Sequence, residues 1–240
     1  MTKIWMQRLV FVTALLFILG GVGCQTLQPD AVRQQVKGKS VAVTSLLGPR
    51  LNLQLIGTTI FHNQYGTLTV PEWGLDEFAI SVVRSSMKNS GSYADVSVFY
   101  GASRNNSDGS LILPEGTQAD FIVAIDSWSH RDPIFNTNAE VKGLGVFHRT
   151  FFGALNKTFV FAGLQVSLHD SSGKLIGQHP EVAYQEAPFT MRSGGDINWD
   201  WNGRNPAPII EQADMASLKE IVRLLLRKTV EKGLDDSGLR

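Results

Sequence analysis

The first two dozen residues constrain this chain more than any other part of it. Residues 9–19, LVFVTALLFIL, form an apolar run preceded by Lys3 and Arg8 and followed by Gly20-Gly21-Val22-Gly23-Cys24. A helix that crosses a bilayer needs about 20 apolar residues. This run is shorter, and the glycines end it because Gly is costly in a helix. The pattern of a basic start, a short apolar core and a small-residue stretch is that of an export signal with its cleavage site. Two other readings use the same run: an ordinary secretion signal with an incidental Cys24, and an uncleaved anchor helix. Cys24 is the single cysteine of the chain. A lone thiol excludes an internal disulfide framework and any multi-cysteine metal site.

Val22, Gly23 and Cys24 resemble the last three positions of the lipobox of bacterial lipoproteins, with Gly21 where Leu is usual. The resemblance implies cleavage between Gly23 and Cys24, followed by acylation of the new N-terminal cysteine with palmitate-type chains. One acyl chain binds a membrane only marginally, whereas two or more hold stably. Gln25 follows the cysteine. In Gram-negative lipoproteins an Asp at that place marks inner-membrane retention, so the resemblance implies the outer membrane, with the domain facing the periplasm. The expected organisation is a signal peptide over 1–23, a lipid-anchored tether over 24–38, and one periplasm-facing domain over 39–240.

In the mature chain, hydrophobic periodicity predicts an α+β (mixed α/β) fold. Lys39–Leu47 is a β-rich run ended by Gly48-Pro49, and Leu51, Leu53 and Leu55 alternate with polar residues. These two runs are expected to pair as a hairpin. Leu75, Phe78, Ala79, Val82, Ser86 and Met87 keep helical spacing over about 75–89. Asp95–Tyr100 reads as a strand, 101–118 as a long Gly/Ser/Asn-rich loop, and Asp120–Trp128 as a central strand. Leu164, Val166 and Leu168 alternate with polar residues ahead of a turn at Asp170–Lys174, predicting a hairpin of 157–170 with 174–179. A last helix is expected over about 211–232, capped by Gly233. The order β-β-α-β-β-β-β-α implies a mainly antiparallel or mixed sheet with two helices packed on it. This order, joined to the lipobox, loosely resembles periplasmic α/β lipoproteins of the curli-secretion and penicillin-binding-protein-activator type, a resemblance of pattern that carries over no functional residue.

Charge and motifs exclude several functions. Of 22 bases, Lys3 and Arg8 lie in the leader, leaving 20 against 22 acids in the mature part. That balance argues against a nucleic-acid partner, which needs a basic stripe. The chain holds no G-x-S-x-G elbow, Walker loop, H-E-x-x-H or G-x-G-x-x-G. An enzyme is therefore less expected than a binder, and no cofactor or metal is expected. The most catalytic-looking patch is Asp126–Asp132 at a strand end, where His130 could act as a base oriented by Asp126 or Asp132. Its bland counterpart is strand-end hydrogen bonding. His169 and His179 flank the predicted turn. In the expected register His169 faces Leu175 and His179 faces Gln165, so they form no metal pair and read as surface residues. Asp196, Asn198, Trp199, Asp200, Trp201 and Asn202 offer two functional readings, a weak calcium loop and an indole platform for a glycan such as peptidoglycan. The competing reading is a loop folded back by burying its two indoles. Residues 143–155, with Phe147, Phe151 and Phe152, read as a partner-facing loop or as a strand pairing with 157–168.

These observations converge on a membrane-anchored envelope lipoprotein, tethered through lipid on Cys24. It would act as a non-enzymatic binding or assembly module for another envelope protein or peptidoglycan. The alternative is a periplasmic hydrolase or glycan-binding enzyme using Asp126 and His130 or the Trp199–Trp201 loop.

Overall fold

The computed structural model describes residues 28–58, 62–132, 134, 138–152, 155–195 and 205–240. Cys24 and the whole 196–203 loop lie outside them. The fold is α+β: a mixed nine-stranded sheet with helices packed on one face. The strands are β1 (Ser40–Ser45), β2 (Arg50–Ile56), β3 (Gln64–Thr69), β4 (Asp95–Val98), β5 (Ser103–Arg104), β6 (Leu111–Ile112), β7 (Phe121–Ser127), β8 (Ser129–Arg131), β9 (Glu140–Phe151), β10 (Leu155–Asp170) and β11 (Leu175–Glu186). The helices are α1 (Pro29–Val36), α2 (Leu75–Ser90) and α3 (Met215–Asp236).

The 16-residue β10 organises the sheet. One edge carries β11 along most of its length. The other edge forks. Its first half, Leu155–Gly163, pairs with β9, which leads on to β2 and β3. Its second half, Leu164–Asp170, pairs with β7, which leads on to β1 and β4. The fork is built from close backbone approach. The Trp128 N–H donates to the Gly163 carbonyl, and the Gly143 N–H donates to the Trp128 carbonyl. A Cβ on Gly163 would stand 2.6 Å from the His130 ring, and one on Gly145 would stand 2.1 Å from the Asn52 carbonyl oxygen. Only glycine admits those contacts.

One sheet face is covered by the helices. Val43, Val123, Val146, Val160 and Val166 from the strands meet Val83, Met87, Leu218, Leu226 and Val230 there. The opposite face is covered in two patches. Leu111 and Leu113 of the 101–118 segment lie over Ala42, Ile122 and Ala124. Phe147, Phe161 and Val141 form the other patch with Ile134 and Ala139.

Four expectations are corrected. First, β1 and β2 do not pair: β1 lies between β4 and β7, parallel to both, and β2 lies between β3 and β9. The turn between them is drawn outward by Asp76 in the first turn of α2. Its carboxylate accepts from the Ser45 hydroxyl at 2.6 Å and from the Leu47 and Gly48 N–H groups at 3.0 and 3.1 Å. Second, residues 29–36 are no free tether. They form α1, whose Val32 and Val36 are buried in the main core, and this third helix adds to the two expected. Third, Gly233 does not cap the last helix, which runs on to Asp236. Gly233 is instead the point where α3 presses on the sheet, its missing Cβ being 2.6 Å from Val166 Cγ2. Fourth, the β10–β11 register starts as expected at His169↔Leu175. A bulge between Leu168 and His169 then shifts it by one, so that His179 faces Val166. His169 is fully buried rather than on the surface.

The 143–155 run takes the strand alternative. β9 pairs with β10 from Gly143↔Gly163 to Phe151↔Leu155.

Candidate functional site

Asp126 and His130 lie over neighbouring positions of β10, because Asp126 pairs with Gln165 and the His130 ring rests on Gly163. They do not form an acid–base pair. The Asp126 carboxylate is taken by Arg104, Nε to Oδ2 at 2.7 Å, and by the Ser127 N–H at 2.6 Å. Among the described residues neither ring nitrogen of His130 finds a hydrogen-bond partner of good geometry. Burial pushes its pKa down, against smaller upward pulls from the Trp128 carbonyl beside it and from Asp132. Asp132 itself is buried, and its carboxylate caps the Ile134 N–H at 2.8 Å.

Arg104 belongs to a network that the sequence did not signal. Besides Asp126, it donates to the Gly109 carbonyl at 2.9 Å and to Ser167 Oγ at 3.3 Å. Ser167 Oγ lies 3.0 Å from His169 Nε2, while His169 Nδ1 lies 3.0 Å from the Gly173 carbonyl. A carbonyl can only accept, so Nδ1 carries the proton and Nε2 accepts from the serine. This is the arrangement of an activated serine. Both side chains have no solvent exposure, however. Burial pushes the His169 pKa down to about 4. The network pins the 101–118 segment onto the sheet, with its serine and histidine buried beneath it.

His179, Glu181 and Asp236 place one ligand atom each within 4.8 Å of one another, the geometry a metal ion would need. The Lys232 ammonium already sits between the two carboxylates, 2.5 Å from Glu181 and closer still to Asp236. Those bonds hold the Lys232 pKa up and the Asp236 pKa down. Lys232 therefore occupies the space between the two carboxylates and offsets one of their two charges from within the chain. Between α2 and α3 an open groove of about 450 Å³ sets Ser81, Ser85 and Asn89 against Arg227 and Arg240. Its Arg240 guanidinium is bound to Asp235 at 2.5 Å.

A cleft of about 350 Å³ opens at the far end of the β9–β10 hairpin, on the helix-bearing face beyond the reach of the helices. β2, β9 and β10 supply Leu55, His148, Thr150 and Asn156 to its walls, and Thr190, Met191 and Ser193 cross it. Its described lining carries no carboxylate, ammonium or guanidinium. His148 is buried and bonded through Nδ1 to Thr158 Oγ1 at 2.7 Å. Thr158 Oγ1 also accepts the Met191 N–H at 3.3 Å, tying the crossing segment to the hairpin. Burial pushes the His148 pKa down, against an opposing bond to Asn156, which leaves the ring neutral. Gln64, almost fully buried on β3, donates to Ser193 Oγ at 2.7 Å and closes one wall.

At the cleft mouth the Phe152 N–H donates to Thr58 Oγ1 at 3.1 Å. Phe152 has φ +43 and is 79% exposed, and it stands edge-on to Phe151 with ring centroids 5.1 Å apart. A left-handed backbone at a bulky residue is a strained conformation.

No family model matches the chain, and no curated protein matches it either. Two solved structures are similar over most of their length. One is the crystal structure of protein XCC0632 from Xanthomonas campestris, described as family-model DUF330. It is 14% identical, with 84% of this chain and 85% of that one covered and a TM-score of 0.39. The other is described as an uncharacterized protein. It is 10% identical, with 82% and 88% covered and a TM-score of 0.30. Among the described residues no helix is long and apolar enough to cross a membrane.

Proposed function

We propose that this chain is a non-enzymatic binding module of the bacterial cell envelope, tethered by lipid on Cys24 and presenting the β9–β10 tip to a component of the envelope. The single observation that carries this reading is the placement of the two ends. α1 lies where β1 begins and β10 ends: Pro29 packs on Gly238, Tyr93 donates to the Leu239 carbonyl at 2.6 Å, and Ser40 binds Asp120. The Phe151–Phe152 tip is at the other end of β10. The 16 residues of that strand, at about 3.3 Å each, extend roughly 50 Å. Cys24 precedes Pro29 by a stretch that reaches at most about 18 Å fully extended. An anchor there holds the domain by one end and leaves the cleft and its exposed aromatics at the other. Binding rather than hydrolysis is favoured because Asp126 is engaged by Arg104 and because Ser167 and His169 are sealed.

The test is site-specific photo-crosslinking from position 152 of the full chain in native envelopes, with mass analysis of the mature N-terminus. The expected result is an acylated Cys24, release of Cys24→Ser from the membrane fraction, and cross-links to a protein or glycan of the envelope. An unmodified N-terminus, or cross-links confined to lipid, overturns the reading.

A further inference from the structure

We propose that His179, Glu181 and Asp236 form a zinc site, and that Lys232 is the built-in cation which a Zn²⁺ ion displaces from it. The inference goes beyond the binding-module reading and does not depend on it.

The first observation is the spacing of the ligand atoms. Zinc holds imidazole nitrogen and carboxylate oxygen at about 2.0–2.2 Å, so ligand atoms around a tetrahedral ion stand about 3.3–3.6 Å apart. His179 Nε2 lies 3.3 Å from Glu181 Oε1 and 3.7 Å from Asp236 Oδ2. All three residues place a ligand atom within 4.8 Å of the other two. His179 Nδ1 is buried, so Nε2 is the ring atom that meets a metal. One imidazole with two carboxylates suits zinc, whereas calcium and magnesium take oxygen ligands.

The second is the scaffold. His179 and Glu181 are two residues apart on β11, so they share a face of the sheet. That face is the one on which α3 packs, because His179 pairs with Val166 and Gly233 of α3 stands on Val166. A Cβ on Gly233 would also lie 3.9 Å from Glu181 Cγ. The close approach at Gly233 therefore brings the last turn of α3, with Asp236, down onto β11. The ligands are carried by a strand and a helix, which hold a site more closely than loops do. The site is also open on one side. The side chains of His179, Glu181 and Asp236 are 21%, 13% and 40% exposed, which leaves a fourth coordination position for water.

The third is charge. Two carboxylates face each other here, and Lys232 offsets one of their two charges. A dication offsets both. Lys232 is 55% exposed on a flexible stem, so its ammonium can swing out into water without leaving a buried charge behind. Ion pairs of such exposure contribute little to stability. Lys232 thus holds the carboxylates together until a metal replaces it, and it competes with that metal for them.

The experiment is isothermal titration of the untagged full chain in detergent with Zn²⁺, with Mg²⁺ and Ca²⁺ as controls, followed by thermal unfolding with and without zinc. The expected result is one zinc per chain with a Kd in the micromolar range or below, a raised melting temperature in zinc, and no saturable binding of the controls. His179→Gln and Glu181→Gln should each weaken zinc binding about tenfold or more. Lys232→Met should strengthen it severalfold, because the competing cation is gone while the apolar stem stays. A cluster that serves only as a salt-bridge network gives no such gain. Lys232→Met lies outside the ligand set, so it tests the site even where a ligand variant fails to fold. Absence of zinc binding at millimolar concentration, binding that His179→Gln leaves unchanged, or weaker binding by Lys232→Met overturns the proposal.

Discussion

Single side chains decide several features that composition does not reveal. Gly233 sits inside α3, where Ala has the better helix propensity by roughly 1 kcal/mol. Here the order reverses, because the added Cβ would stand 2.6 Å from Val166 Cγ2 and 3.6 Å from its Cβ. Gly233→Ala should lower stability by about 1–3 kcal/mol through overpacking, read as a lower urea midpoint. Val166→Ala in the same chain should recover part of the loss, since the two sites contact each other. Additive effects would show that the helix simply slides. Arg104 offers a second case. It is 16% exposed and holds Asp126, Gly109 and Ser167 together. Arg104→Ala leaves a carboxylate and a hydroxyl short of their donor and frees the 101–118 segment. The expected cost is about 2–4 kcal/mol, with hydrogen exchange rising first at 103–112. Exchange that rises uniformly instead would assign Arg104 to the global core.

At the scale of elements, legibility followed periodicity. The helix α2, the β10–β11 hairpin and the central strand β7 announce themselves by 3.6- or 2-residue spacing. The partner of β1 was missed although its sequence held the clue. Ser40–Ser45 is buried on both faces, and a continuous apolar run is the mark of an interior parallel strand rather than a hairpin arm. β3 was missed because QYGTLT carries little hydrophobic alternation. α1 was missed because only two of its eight residues, Val32 and Val36, reach the core. The cleft was illegible for a different reason. Leu55, Thr150 and Met191 come from three distant segments, brought together by the parallel pairing of β2 with β9 and by the Met191 bond to Thr158 on β10. Phe152 joins this scale to the previous one. Phe152→Gly relieves the positive φ, and the ring it removes is mostly exposed. It should therefore leave stability unchanged or raise it by about 1 kcal/mol, measured by thermal unfolding, while the binding proposed for the tip is lost. A large drop in melting temperature would show that the ring belongs to the hairpin's own packing.

For the molecule as a whole, the burial of neutral histidines on both faces of one sheet ties stability to pH. His148 lies on the helix-bearing face, and His130 and His169 on the other, each with its pKa pushed down mainly by burial. In the unfolded chain these rings protonate near pH 6.5, whereas folded His169 does so only at about 4. Between those values the unfolded state binds more protons, so stability is complete above about pH 6.5 and falls as pH drops toward 4. For His169, which has no solvent exposure, the loss across that window reaches roughly 3 kcal/mol. The depressed carboxylates of Asp108, Asp120 and Asp170 act in the same direction, but they are lost at lower pH, below their unfolded value of 3.8. The two contributions therefore separate on the pH axis. Urea unfolding of the wild-type chain at a series of pH values should show stability declining already between about 6.5 and 4.5, ahead of the carboxylate range. His169→Gln keeps a hydrogen-bonding side chain but cannot protonate, so it should start from a lower stability at neutral pH and show a shallower slope in that window. An unchanged slope in the variant would mean that the acid sensitivity resides in His130 and His148, and that the Arg104–Ser167–His169 pin is indifferent to proton activity. A flat wild-type profile down to pH 4.5 would contradict the neutral burial of all three rings.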